Sequence, residues 1–234
     1  MANAPNPETP RLDPAGHAHA RAIGRRVAAH RAERALTVSA LAREIGVSRS
    51  MVSQIERGQS RPSVSTLFAL AEALQVPVDA FFRGVGDDGS GAEGPGPEPV
   101  PAEAEGPPAG RHLVRRDARA VIDIEGGVRW ERLTPTTLDE VEFLELVYAP
   151  HAESNASLYR HPGTEMVLVL TGRLHIFVGF DRHELGPGDS IWFPSSTPHR
   201  YVNPTDETTR AVTVLLHDAN GVEADRRPGA RSGA

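Results

Sequence analysis

Along the first eighty residues the apolar positions recur at helical spacing. Ile23, Val27 and His30 share one stripe, and Val38, Leu41, Ala42 and Ile45 share another, the 3.6-residue period of amphipathic helices. Leu36 precedes Thr37, whose hydroxyl suits the N-cap of "VSALAREI". Gly46 is placed for the left-handed C-terminal position, Val47 for the core, and Ser48 as the cap of "RSMVSQIERG", whose Val52 and Ile55 turn inward. That leaves Arg49, Ser50, Ser53, Gln54 and Arg57 on the outer face. A further helix is predicted in "RPSVSTLFALAEAL" after Pro62, and "VPVDAFF" closes the bundle.

Past residue 110 the period changes. "AVIDI", "VRWERL", "VEFLELVYA", "MVLVL", "RLHIFVGF", "SIWFP", "HRYVN" and "AVTVLLH" are short apolar runs parted by Gly, Pro, Asn and Asp. No helix-length segment separates them, so an all-β barrel or sandwich is predicted over residues 111–218. Between the two units, residues 84–110 hold eight Gly, six Pro, six acids and no base or aromatic. Such a stretch buries too little apolar surface to offset its ordering entropy, and reads as a flexible acidic linker. Its coil dimension of roughly 30 Å predicts two units that move nearly independently. Residues 1–16 and 219–234 read as disordered tails around a helical domain at 17–83.

Charge sharpens this division. The chain carries a net charge of −6, yet residues 17–83 have ten Arg against five acids, a local balance of +5. Every one of the 25 basic residues is Arg, which coding bias explains most simply. There is no Cys, which removes disulfides, thiolate catalysis and Cys-held zinc together. His, Asp, Glu and Tyr remain as metal ligands. No apolar run reaches membrane-spanning length and no basic-then-apolar leader opens the chain, so a cytoplasmic protein without a membrane partner is expected.

Two short helices joined through Gly-Val-Ser have helix-turn-helix geometry. The stretch "LTVSALAREIGVSRSMVSQIERGQSRPSVSTLFALAEALQVPVDAFF" resembles the Cro/phage-repressor type (XRE family), with its "S-x-I-E-x-G" and "P-S-x-x-T-L" patterns and closing Phe pair. The resemblance implies that residues 48–57 enter the major groove of an operator in double-stranded DNA, with Arg49, Ser50 and Gln54 at base-reading positions. Arg can grip guanine O6 and N7, and Gln adenine N6 and N7, each worth about 1–3 kcal/mol of discrimination. Ser48, Ser53 and Arg57 are better placed for phosphate.

In the second unit, "HPGTEMVLVLTG" resembles the first motif of the cupins, and Gly188, Pro194, His199 and Asn203 are spaced as in their second. The resemblance implies a double-stranded β-helix barrel. It also implies a divalent metal held by two His and a Glu of the first motif and one His of the second. Position by position, His161 is the second His, Glu165 the Glu and His199 the last His. Tyr159 replaces the first His, and Ser196 replaces a turn Gly. Two imidazoles and a carboxylate still suit non-haem Fe(II), and Zn or Ni tolerates the set. Trp130 and Trp192 are expected in the core or pocket wall, and the other histidines fall at no ligand spacing.

Two function classes compete. One is a transcriptional regulator, not an enzyme: its helical unit reads an operator, and its cupin senses a small-molecule effector or metal and joins a homodimer. The other is a metalloenzyme resembling the iron-dependent epoxidases, which share this pairing of domains. Exposed Arg49, Gln54 and Arg57 on a well-capped helix favour the regulator, because an enzyme has no need of them.

Overall fold

The computed structural model describes residues 14–82, 112–138 and 140–217. The predicted linker and C-terminal tail lie outside the described residues, as do residues 1–13.

Among the described residues, four helices form the first domain: α1 (Pro14–Glu33), α2 (Val38–Glu44), α3 (Arg49–Glu56) and α4 (Val64–Leu74), closed by a 3₁₀ turn at Val78–Phe82. Helix α1 starts inside the segment expected to be a disordered tail. Pro14 opens it, at a position where its missing N–H costs nothing. The caps are local and complete: the hydroxyls of Thr37, Ser48 and Ser63 accept from the amides of Ala40, Met51 and Thr66. Gly46 takes the left-handed conformation at φ 73°. Val27, Leu41, Val52, Leu67 and Phe81 meet in the centre with no more than 1% exposure.

The second domain has, among the described residues, nine antiparallel strands: β1 (Val121–Ile124), β2 (Val128–Arg132), β3 (Val141–Tyr148), β4 (Thr164–Thr171), β5 (Leu174–Val178), β6 (Asp181–Leu185), β7 (Ser190–Pro194), β8 (His199–Val202) and β9 (Thr209–Leu216). Six make one sheet, in the order β1-β2-β3-β9-β4-β7, and β6-β5-β8 make the other. Strand β4 alternates strictly, Glu165, Val167 and Val169 inward and Met166, Leu168 and Leu170 outward. Strand β6 is a correction to the sequence reading. Its first four residues are exposed, so it carries no apolar alternation, and pairing with β5 alone makes it a strand.

The domains are docked, contrary to the independent motion expected of them. Their buried apolar residues form one contiguous cluster. Across the seam, His19 Nδ1 donates to Asp123 Oδ2 (2.9 Å), Ser65 Oγ to Asn155 Oδ1 (3.0 Å), and the Glu125 amide to the Pro62 carbonyl (3.0 Å). Arg132 reaches buried Asp79 at 3.4 Å. Flexibility of a linker bounds what its ends are able to do, whereas docking is decided by the surfaces they carry.

Candidate metal centre and nucleic-acid interface

Helix α3 is fixed from below and open above. Val52 and Ile55 are buried, and Arg31 of α1 clamps Glu56 through Nε at 2.5 Å and through Nη2 at 3.1 Å. Ser48, Arg49, Ser50, Gln54 and Arg57 are exposed, and Ser53 is half-buried. All six candidate residues therefore lie on or beside one helix, and the docked barrel leaves this face uncovered. Arg57 Nε donates to Gln59 Oε1 (3.0 Å).

The other site lies at the mouth of the barrel. Tyr159 and His199 exchange backbone hydrogen bonds, Tyr159 N–H to His199 O at 3.0 Å and the reverse at 2.8 Å, and the His161 amide donates to Ser195 O. This pins residues 159–161 against β8 and the turn that precedes it, and brings His161 and His199 to Glu165 of β4. The three offer donor atoms all within 4.8 Å of one another. Glu165 Oε2 is 3.3 Å from His199 Nε2 and 3.7 Å from His161 Nε2.

The histidine ring orientations are set by their other nitrogens. His161 Nδ1 donates to Pro162 O (3.2 Å) and His199 Nδ1 to Thr197 O (2.8 Å). A carbonyl only accepts, so each Nδ1 carries the proton and each Nε2 presents a lone pair, as metal-ligating histidines do. Burial lowers the pKa of both rings, that of His161 to about 3 with His199 adding to the effect. Burial, assisted by Glu142, raises Glu165 to about 7.

Those shifts describe donors without a cation beside them. Nε2 of both rings and Glu165 Oε2 are buried and lack a hydrogen-bond partner among the described residues. Buried polar atoms left so are costly, and a divalent cation would satisfy all three at once. The residues present therefore fit such an ion. Tyr159 is the exception within the predicted set. Burial and the nearby Glu165 push its hydroxyl well above the usual phenol range, so it stays protonated and is a poor ligand without a cation to lower it. Its ring instead lies 4.6 Å from that of His199.

Trp130 is buried in the pocket wall as expected, but Trp192 is not. It is 70% exposed, because β7 turns it to the outer face of the larger sheet. Sequence reasoning also missed Phe68 and His217. Phe68 leaves α4 for the barrel, where its ring stacks on His161 at 3.7 Å and 7°. His217 Nε2 lies 2.9 Å from Glu142 Oε1, and both His217 and Phe68 line a crevice between α4 and the barrel. The available signal was that α4 is apolar beyond one stripe, with Phe68 off the line of Leu67, Leu70, Ala71 and Leu74.

A four-helix unit with an exposed capped α3, joined to a cupin-type sheet pair with a two-His-one-Glu cluster, defines a two-domain class. Residues 27–81 match the helix-turn-helix family and residues 144–215 the cupin domain family, so the chain carries a Cro/phage-repressor-type helix-turn-helix domain and a cupin domain. Among curated relatives, an uncharacterized transcriptional regulator in the ATPase CF(0) region of Rhodospirillum rubrum is 45% identical over 60 residues, 26% of this chain and 56% of that protein. The immunity repressor protein of Bacillus phage phi105 is 47% identical over 58 residues, 25% of this chain and 40% of that protein. The chain thus spans about half the length of these relatives. A crystal structure of a helix-turn-helix family transcriptional regulator from Vibrio cholerae superposes with a TM-score of 0.60 at 24% identity, covering 87% of this chain and 99% of that one. It shares the fold across both domains.

Proposed function

We propose that the protein is a DNA-binding transcriptional regulator whose helix-turn-helix domain reads a two-fold symmetric operator and whose cupin domain senses a small molecule through a bound divalent metal. The observation that carries this reading is helix α3, rigidly seated on a domain of +5 local charge with Ser48, Arg49, Ser50, Gln54 and Arg57 exposed on it. Arg49, Ser50 and Gln54 read base edges, while Ser48, Ser53 and Arg57 hold phosphates. The names of the curated relatives, which match about a quarter of this chain, support DNA binding.

His161, Glu165 and His199 hold the metal, one Fe, Zn or Ni ion per chain. When bound, such an ion supplies positive charge and open coordination positions for a ligand's oxygen donors. The protein works in the cytoplasm; among the described residues no helix is long and apolar enough to cross a membrane.

It acts as a homodimer. The register sets Trp192, Met166, Val214 and Phe143 side by side across four strands of the larger sheet. Three of them are conspicuously exposed, Trp192 at 70%, Met166 at 38% and Phe143 at 37%, with Leu168, Leu170 and Leu216 beside them. A contiguous apolar sheet face of this kind suits a second copy of the chain, and two-fold pairing places two α3 helices on one duplex.

The test is selection of duplexes from a random pool by the full chain, followed by anisotropy at fixed salt. Selected duplexes are expected to bind at least about a thousandfold more tightly than random ones. Arg49→Ala should relax preference at one position per half-site, costing about 1–3 kcal/mol there. Arg57→Ala should weaken all sequences alike and flatten the salt dependence. Equal affinity for selected and random duplexes would exclude the reading.

A further inference from the structure

The helical domain reaches into the cupin site with one side chain. Phe68 of α4 lies flat on His161, their ring centroids 3.7 Å apart and nearly parallel. Trp130 meets the same ring edge-on at 5.9 Å, and Tyr159 stacks at 6.2 Å. These rings form an aromatic slot at the mouth of the barrel. Glu165 lines the same enclosed space as Phe68, Trp130 and Tyr159; its Oε2 lies 3.3 Å from His199 Nε2 and 3.7 Å from His161 Nε2, and all three atoms are buried without a partner among the described residues. Beside the Phe68 ring a crevice of about 250 Å³ separates α4 from residues 159–162, with Ser65, Glu72 and Arg160 on its rim.

We propose that this slot is the effector site and that Phe68 is its internal occupant: a small planar aromatic ring carrying oxygen donors displaces Phe68 from His161 and thereby releases the helical domain from the barrel. The ligand class follows from the walls. A flat ring between a histidine face and a tryptophan edge fills the slot in the way that offset and edge-on aromatic pairs prefer. Oxygen donors on that ring would reach the three unpartnered polar atoms, or a metal held by them. The occupant to be replaced is one phenyl ring, and the space enclosed between it, Trp130, Tyr159 and Glu165 is only about 10 Å³, which selects a single-ring molecule.

The coupling follows from the position of Phe68. It stands on the helix that also carries Ser63, cap of α4, and Ser65, which bonds Asn155 of the barrel. Ring ligand and docked helical domain therefore compete for one surface. A ligand shifts an equilibrium only when it binds the two arrangements unequally, and exclusion by Phe68 supplies that inequality. Because α3 is uncovered in the docked state, the ligand acts on where the reading heads are held, not on access to their faces. This deepens the sensor reading above and rests on it for its biological use, but the competition itself is scored without DNA.

The test uses the full chain, metal-free and with one equivalent of Zn(II), titrated with catechol by calorimetry. Phe68→Ala is expected to bind catechol at least about tenfold more tightly than wild type, since affinity falls by the fraction of molecules whose site is open. In the wild type, catechol should speed amide hydrogen exchange across residues 64–74. Cyclohexane-1,2-diol, which offers the same donors without a flat ring, should bind neither protein. Phe68→Leu keeps apolar bulk and serves if Phe68→Ala melts early; it too should bind more tightly than wild type. Equal catechol affinity in wild type and variants, binding with unchanged exchange in α4, or no binding in either metal state would each overturn the proposal. Loss of operator binding alone would fall on the regulator reading and leave the competition intact.

Discussion

At the scale of single residues, the sequence carried the metal-site candidates because each has a fixed spacing within a motif and a chemistry that few residues share. His161, Glu165 and His199 were legible for that reason, and they converge to within 4.8 Å. What spacing could not carry was the state of each atom. That Nδ1 of both rings is committed to a carbonyl, leaving Nε2 inward, depends on Pro162 and Thr197 carbonyls placed by the fold. The consequence is testable. Purified protein loaded with Zn(II) and dialysed should retain close to one ion per chain by elemental analysis, and His199→Ala should retain almost none. Its melting temperature should no longer rise with added Zn(II), because binding to the folded state stabilises by RT ln(1 + [L]/Kd). Stoichiometric retention by His199→Ala would remove that residue from the site.

At the scale of elements, helices announced themselves through caps, and strands through alternation. Thr37, Ser48 and Ser63 each cap the helix that follows them, since a cap is a local bond between neighbours. Strand β6 escaped because a strand exposed along most of its length has no apolar alternation to read. Gly24 was equally silent. In sequence it is an isolated Gly in a helix, but in the fold it marks where α1 presses on the end of α3. A Cβ there would come within 2.3 Å of the Ile55 carbonyl oxygen and 2.5 Å of that of Glu56. Both are backbone atoms, so the helices themselves must part. Gly24→Ala raises helix propensity by up to about 1 kcal/mol. Overpacking of about 1–3 kcal/mol opposes it. The clash should win: denaturant melts are expected to show net destabilisation, with DNA affinity falling as α3 loses its seat. A variant as stable as wild type would mean that the α1–α3 contact is looser than this spacing indicates.

At the scale of the whole molecule, the fold class of each half was readable and their union was not. Periodicity reports whether a segment has a buried face, not which distant segment buries it. Two surfaces therefore came only from the structure. The outer sheet face predicts its own disruption: Trp192→Glu places charge in the exposed row beside Met166. By light scattering at micromolar concentration it should turn a dimer into a monomer while leaving the barrel folded, and a dimer that persists would move the interface elsewhere. The seam between domains has a pH signature. Asp123 is 5% exposed, and burial by itself would raise its pKa. His19 from the helical domain at 2.9 Å and Arg129 at 2.7 Å outweigh that and hold it at about 2, against an ordinary 3.8. A carboxylate depressed in the folded state contributes stability that is complete above its ordinary pKa and is lost as pH falls through the folded one. The shift corresponds to about 2 kcal/mol, divided between barrel folding and domain docking. Denaturant melts should therefore favour wild type over Asp123→Asn by an amount near this at pH 5, and the advantage should shrink toward zero as pH drops from 4 to 2. If buried Trp130 also becomes solvent-exposed over that interval in a Trp192→Phe background, docking is the part being lost. An advantage that stays constant across the interval would mean that Asp123 matters through packing and not through its charge.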